Sequence, residues 1–156
     1  MQYLIVPNGN QKLIESLVGF GARFLVIGGV AVNFYIPSRV FNDLDILLEP
    51  TIETAKAVLK VLQLHGIPPN FDAHRLTFPN VQLPIKTNEF CADFLTPKNG
   101  FYFEQNWVDA HVVRVGKTAV KLASTNTLLE LLADSPEEKH VVDRKLLERF
   151  LNKSLE

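Results

Sequence analysis

The sequence predicts one α/β domain over residues 1–156, and three observations carry that expectation. Short apolar runs of strand length alternate with segments whose apolar residues recur at helical spacing. Apolar residues make up 47% of the chain and charged residues 21%, the balance of a protein with a buried core. No repeat, low-complexity segment or linker interrupts the 156 residues, a length suited to one such core.

The elements follow in order. "NQKLIESLVGFG" carries Leu13, Ile14, Leu17, Val18 and Phe20 at helical spacing and stops at Gly21. "ARFLVIGG" reads as a short buried strand ending at Gly28-Gly29, and "VAVNFYI" as a short helix closed by Pro37. "NDLDILLE" is a strand. "TIETAKAVLKVLQLHG" is the clearest helix, with Thr51 at its N-cap and Gly66 at its C-terminal end. "HRLTFP", "VQLPI" and "NEFCADFL" read as extended pieces after the turn "IPPN". "HVVRV" and "TAVKLA" flank "GK" as a hairpin. "STNTLLELLAD" and "PEEKHVVDRKLLERFL" are two final helices; Ser124 or Thr125 caps the first and Pro136 opens the second.

Bulk properties exclude several classes. The formal charge of −1 gives no global positive field for nucleic acid. The one cysteine, Cys91, forbids an intrachain disulfide and fits a reducing compartment, so a cytoplasmic protein is expected. Its apolar surroundings make it a packing residue rather than a nucleophile. "MQYLIVPNGN" lacks the features of a signal peptide, and no apolar run approaches the ~20 residues of a membrane span. His65, His74, His111 and His140 have no zinc-ligand spacing. A mean hydropathy of +0.09 points to apolar surface used for a partner protein or a homodimer.

The chemistry concentrates in "FLVIGGVAVNFYIPSRVFNDLDILLEP". Strand alternation turns Asp43 and Asp45 to one face and Leu44, Ile46 and Leu48 to the other. Two like charges on one face repel, and burial sharpens the conflict, so a positive group must compensate them. A divalent cation such as Mg²⁺ suits hard carboxylate oxygens and keeps positions free for substrate phosphates. The plainer alternative is a strand that starts with polar residues after a turn. Gly28-Gly29 at a strand-to-helix junction lets backbone N–H groups approach a phosphate, although a tight turn is the commoner use of such a pair. The Rossmann pattern is absent, because Val30, Ala31 and Val32 follow Gly29. In "NEFCADFLTP", Phe90, Ala92 and Phe94 would face a core, with Cys91, Asp93 and Leu95 on the other side.

Gly28-Gly29, a short helix, Asp43-Leu44-Asp45 and an isolated Asp93 on a later strand resemble the DNA polymerase β-type nucleotidyltransferase superfamily. The likeness is nearest the small bacterial members: minimal, antibiotic and abortive-infection toxin-type nucleotidyltransferases. "VKLASTNTLLELL" and "EEKHVVDRKLLERFL", with Lys139 and Asp143, extend the resemblance across about Arg23 to Leu151. It implies an α+β (α/β) nucleotidyltransferase fold: a mixed twisted sheet flanked by helices, with helices at the C-terminus. It implies that Asp43, Asp45 and Asp93 bind Mg²⁺ or Mn²⁺ and carry catalysis, and that Gly28 and Gly29 seat phosphates. Arg39 would pair with phosphate or with one of the aspartates, and Lys139 would reach the phosphates. Four features depart from the family pattern, one of them the absence of an arginine before Lys139. Phe41 stands where abortive-infection members have threonine, Val30 follows the glycines where many have serine, and His140 stands where an acid is usual.

The expected activity is transfer of a nucleoside monophosphate from a nucleoside triphosphate to a hydroxyl on a small molecule, an RNA end or a protein, releasing pyrophosphate. The alternative is an inactive or weakly active module of the same fold, such as an antitoxin or subunit paired with a helical partner. A third reading makes the acids surface residues of an α/β domain without this chemistry. Trp107 and the aromatics Phe101 to Phe103 could stack on a base, although packing explains them as well.

Overall fold

A computed structural model describes residues 2–7 and 9–154 of the chain. The expectations for the first ten residues and for a domain reaching residue 156 include Met1, Asn8, Leu155 and Glu156, which lie outside the described residues.

The sequence-period reading of the helices holds at most positions. α1 covers Asn10–Gly19 and buries Leu13, Ile14 and Leu17, the three residues on one helical face. Val18 and Phe20 are exposed, and Gly21 closes the helix at φ +85°. α3 covers Ile52–Leu64; the Thr51 side chain accepts a hydrogen bond from the Thr54 N–H at 3.3 Å, the expected cap. α5 covers Thr125–Leu132, and Ser124 is its cap, accepting from the Thr127 N–H at 3.1 Å. α6 covers Glu138–Ser154 and starts two residues beyond Pro136.

Six strands form one sheet: β1 Phe24–Ile27, β2 Leu44–Leu48, β3 Gln82–Lys86, β4 Cys91–Leu95, β5 His111–Val115 and β6 Thr118–Leu122. Their spatial order is β3-β4-β2-β1-β6-β5. β1 runs antiparallel to β2 and parallel to β6; β2 runs parallel to β4. β3–β4 and β5–β6 are antiparallel hairpins, the second turning at Gly116 with φ +61°. The sheet is therefore mixed, as expected.

Two segments differ from the sequence reading. Ala73–Thr77 is a 3₁₀ helix rather than an extended piece. Asp72 accepts from the His74 N–H at 2.9 Å and the Thr77 hydroxyl donates to the His74 carbonyl at 2.6 Å, so local bonds replace a strand ladder. Phe103–Asp109 forms a further helix, α4, which the sequence reading does not contain.

The two sheet faces are packed differently. Leu44, Ile46 and Leu48 of β2 join Phe24, Val26, Ala92 and Phe94 in the main core against α1 and α3, as the alternation predicts. Leu25 and Leu47 point the opposite way and meet Phe103 of α4 in a smaller apolar cluster. Asp45 and Asp93 share this second face with Leu47 and Leu95. Its cover is partial, which leaves a cleft beside the smaller cluster.

Candidate functional site

The site grows from the register of β2 and β4. Asp45 pairs with Asp93 across these parallel strands, so the two carboxylates are side-by-side neighbours on one face. The sheet expectation for these two residues therefore holds. Asp43 sits one residue before β2, on the bend leading into it rather than within the strand.

α2, Gly28–Tyr35, begins directly where β1 ends. Its first residue, Gly28, has φ +70°, and a Cβ there would overlap the Asp45 carboxylate. Gly29 needs its missing side chain less acutely: a Cβ would lie 3.2 Å from a guanidinium nitrogen of Arg39 and 3.3 Å from the Phe41 Cβ. No side chain caps the start of α2. The partial positive charge of the helix N-terminus is thus close to Asp45.

A cleft of about 360 Å³ opens here. It takes Gly28, Gly29, Asp45 and Asp93 from the sheet side and Lys139 and Asp143 from α6. Leu128, Leu131 and Leu132 of α5 supply an apolar wall, and Lys98 lies on the rim. Asp43 is outside this lining. Phe101 to Phe103 and Trp107 are outside it too; Trp107 stacks on Phe103 at 5.9 Å and lies beneath the Arg23 guanidinium at 4.5 Å.

The electrostatics separate the three aspartates. Burial pushes Asp45 up to about 6, and the neighbouring Asp93 charge adds to the shift. Lys139 acts in the opposite direction. No hydrogen bond or ion pair engages the Asp45 carboxylate among the described residues. Asp43, more exposed, is held below the usual carboxylate range. The Cys91 thiol donates to its Oδ1 at 2.6 Å and the Lys86 ammonium donates to its Oδ2 at 2.5 Å. The same contact pushes the Cys91 thiol up. Lys86 Nζ also lies 3.7 Å from Asp93 Oδ2.

Arg39 pairs with an aspartate, but with Asp143 of α6 rather than Asp43 or Asp45. Its Nε and one terminal nitrogen donate to the two Asp143 oxygens at 2.7 and 3.0 Å, a bidentate pair. Its other terminal nitrogen donates to the Val40 carbonyl. Asp143 is 3% exposed. Lys139 lies one helical turn earlier on α6, so this clamp fixes the helix face that brings Lys139 to the cleft. Lys139 itself has a loose pair with Glu137 at 3.7 Å.

The sequence reading gives Lys86 no role and makes Cys91 a packing residue. A signal for both existed. "IKTNEFCADF" folds as a hairpin whose Thr87 N–H donates to the Phe90 carbonyl at 2.9 Å, which sets Lys86 opposite Cys91. Alternation then turns both to the Asp93 face.

The donor set suits a hard divalent cation. Asp45 is a poorly solvated carboxylate without a partner, directly beside a second acid, and such a pair gains from a cation. The three aspartates do not converge, however: among the described residues no group of three or more His, Cys, Asp or Glu side chains is placed to hold a metal ion. Both Asp43 oxygens are engaged by Lys86 and Cys91.

No family model matches this chain, and no curated protein matches it. Among solved structures, it is similar to an antigenic nucleotidyltransferase-like protein from Paracoccidioides brasiliensis. The TM-score is 0.53 at 14% identity, over 91% of this chain and 73% of that one. The chain shares the fold of that protein. At that identity the likeness concerns the fold and leaves the reaction to the site. No helix among the described residues is long and apolar enough to cross a membrane.

Proposed function

We propose that this protein is a Mg²⁺- or Mn²⁺-dependent nucleotidyltransferase, acting in the cytoplasm on a nucleoside triphosphate and a hydroxyl acceptor. The observation that carries the reading is the Asp45–Asp93 pair, set side by side at the mouth of a glycine-led helix within a cleft that Lys139 also reaches. Asp45 in particular is a partly buried carboxylate beside a second acid with no hydrogen bond or ion pair of its own among the described residues, which a bound cation would relieve.

In this reading Asp43, Asp45 and Asp93 hold the cation, which when bound neutralises triphosphate charge and lowers the pKa of the acceptor hydroxyl. Gly28 and Gly29 present backbone N–H groups to the β- and γ-phosphates. Lys139 adds positive charge from the opposite wall. Asp93 takes the acceptor's proton as its oxygen attacks the α-phosphorus. The bond to the bridging oxygen breaks and pyrophosphate leaves. Arg39 acts through Asp143 as a positioning residue for α6.

One observation favours the alternative, a binding module paired with a partner protein: Lys86 already neutralises Asp43 from within the chain. The deciding experiment is incubation with each labelled nucleoside triphosphate, Mg²⁺ and a cell lysate, then identification of a labelled acceptor. Transfer that depends on Asp45 supports the enzyme. Metal-dependent nucleotide binding without transfer, across all nucleotides and a broad acceptor panel, supports the binding module. Absence of both sinks the two readings together.

A further inference from the structure

Lys86 is the one ammonium among the described residues that touches the acidic group directly. It lies on β3, an edge strand, opposite Cys91 in the β3–β4 register. Its Nζ is 2.5 Å from Asp43 Oδ2, 3.7 Å from Asp93 Oδ2 and 3.8 Å from the Cys91 sulfur. Lys139 and Arg39 act on Asp45 only through space. The chain itself thus supplies a cation between Asp43 and Asp93.

We propose that Lys86 is a resident counter-cation that competes with the divalent metal for Asp43. Lys86 and the Cys91 thiol engage both oxygens of Asp43, so a metal that takes this carboxylate must displace the lysine. Binding of the metal by all three acids requires Lys86 to leave. Nothing covalent opposes this: the Lys86 side chain is 47% exposed, and its four-carbon stem at a sheet edge can swing into solvent. The pair is an exposed ion pair, worth little in isolation, so it acts as a modest bias against the metal rather than a block. Without metal Lys86 compensates Asp43 and Asp93 but not Asp45, and the metal-bound site frees a lysine at the Asp43 edge. This inference rests on the nucleotidyltransferase reading, because that reading puts a metal among the three aspartates.

The arithmetic is that of a competing state. If the metal-competent arrangement is populated only in part, the apparent dissociation constant rises by that fraction. Removing Lys86 should tighten Mn²⁺ binding by about 3- to 10-fold. Loss of a nearby positive charge would also tighten binding from a distance, so Asp43 must be shown to carry the effect.

The test is Mn²⁺ binding without nucleotide, read by calorimetry and by the electron paramagnetic resonance of free Mn²⁺. It uses the wild type, Lys86→Met, Lys86→Gln, Asp43→Asn and the Lys86→Met/Asp43→Asn double variant. Lys86→Gln keeps most of the stem and guards against a folding defect at the edge strand. The expected result is tighter binding in both Lys86 variants, with the gain abolished when Asp43 is Asn. Unchanged or weaker Mn²⁺ affinity in both overturns the proposal while leaving the metal site standing. So does a gain that persists in full in the Asp43→Asn background, since it would then come from general charge. Failure of every variant, wild type included, to bind Mn²⁺ removes the metal reading itself and this inference with it.

Discussion

The carboxylate of Asp45 fills the space that a side chain at Gly28 would need. Two residues seventeen positions apart are thus coupled: β1 and β2 are antiparallel neighbours with Ile27 opposite Asp45, and the chain turns into α2 at the next residue. Gly28→Ala should lose about 2 kcal/mol or more, from the positive φ and from the overlap. Gly29→Ala should cost clearly less, because Gly29 has no positive φ and its tight contacts, 3.2 Å to the clamped Arg39 guanidinium and 3.3 Å to the Phe41 Cβ, are partly offset by a gain in helix propensity of about 1 kcal/mol. Urea denaturation measures both. The Gly28→Ala penalty should shrink in an Asp45→Ala background, and strict additivity would contradict the coupling.

Asp45 should make the metal-free protein less stable as pH rises. Its folded pKa, about 6, lies above the ordinary carboxylate value of 3.8, so between these values the folded state binds more protons than the unfolded state. Unfolding free energy then falls as pH climbs through this window. The penalty at neutral pH reaches at most about 3 kcal/mol. Asp45→Asn should be nearly pH-independent in this respect, so its advantage over wild type should grow from about pH 4 to pH 7. Asp43, whose pKa is depressed, contributes the opposite trend: its stabilisation is present above the ordinary value and disappears in stronger acid.

Metal should reverse the Asp45 penalty. Mg²⁺ or Mn²⁺ is expected to raise the melting temperature of the wild type, and Asp45→Asn should reduce that rise while leaving the metal-free protein as stable or more so. Calorimetric scans with and without metal check this. An equal metal response in the two proteins would count against Asp45 as a ligand.

Arg39 and Asp143 should prove strongly coupled. Asp143→Ala leaves a partly buried guanidinium unpaired, and Arg39→Ala leaves a buried carboxylate; the latter should cost about 3–5 kcal/mol. The double variant should cost much less than the sum. Nucleotide binding supplies the functional readout: Lys139→Met should weaken binding in the wild type and matter less once Asp143 is Ala, because α6 then no longer holds Lys139 over the cleft.

In the proposed reaction the role of Asp93 is separable from those of its neighbours. Asp93→Asn should retain nucleotide binding with Mg²⁺ while single-turnover transfer falls about 10²-fold or more, as for a lost general base. Asp43→Asn and Asp45→Asn should lose binding as well as turnover. A nucleotide titration beside the single-turnover assay distinguishes these outcomes, and full activity in Asp93→Asn would remove the acid–base assignment.

Local pattern by itself determined much of this protein. Alternation along "DLDILLE" and "FCADFL" assigned the core face and the acid face of β2 and β4, because a strand repeats every two residues whatever it pairs with. The Thr51 and Ser124 caps and the glycine after α3 were legible because helix termini are satisfied by residues a few positions away. Short-range signals failed where side-chain bonds replaced backbone ladders, as at Asp72 and Thr77, and where a seven-residue helix, α4, left too little periodicity to recognise. Tertiary structure alone decided which charges meet. Arg39 finds Asp143 at a separation of 104 residues, and Lys86 finds Asp43 at 43. Helix docking and sheet register bring these groups together, and neither leaves a mark in local composition. The sequence therefore called for a positive group among the acids, whereas the pairing of β3 with β4 determined that a lysine of the chain already stands there.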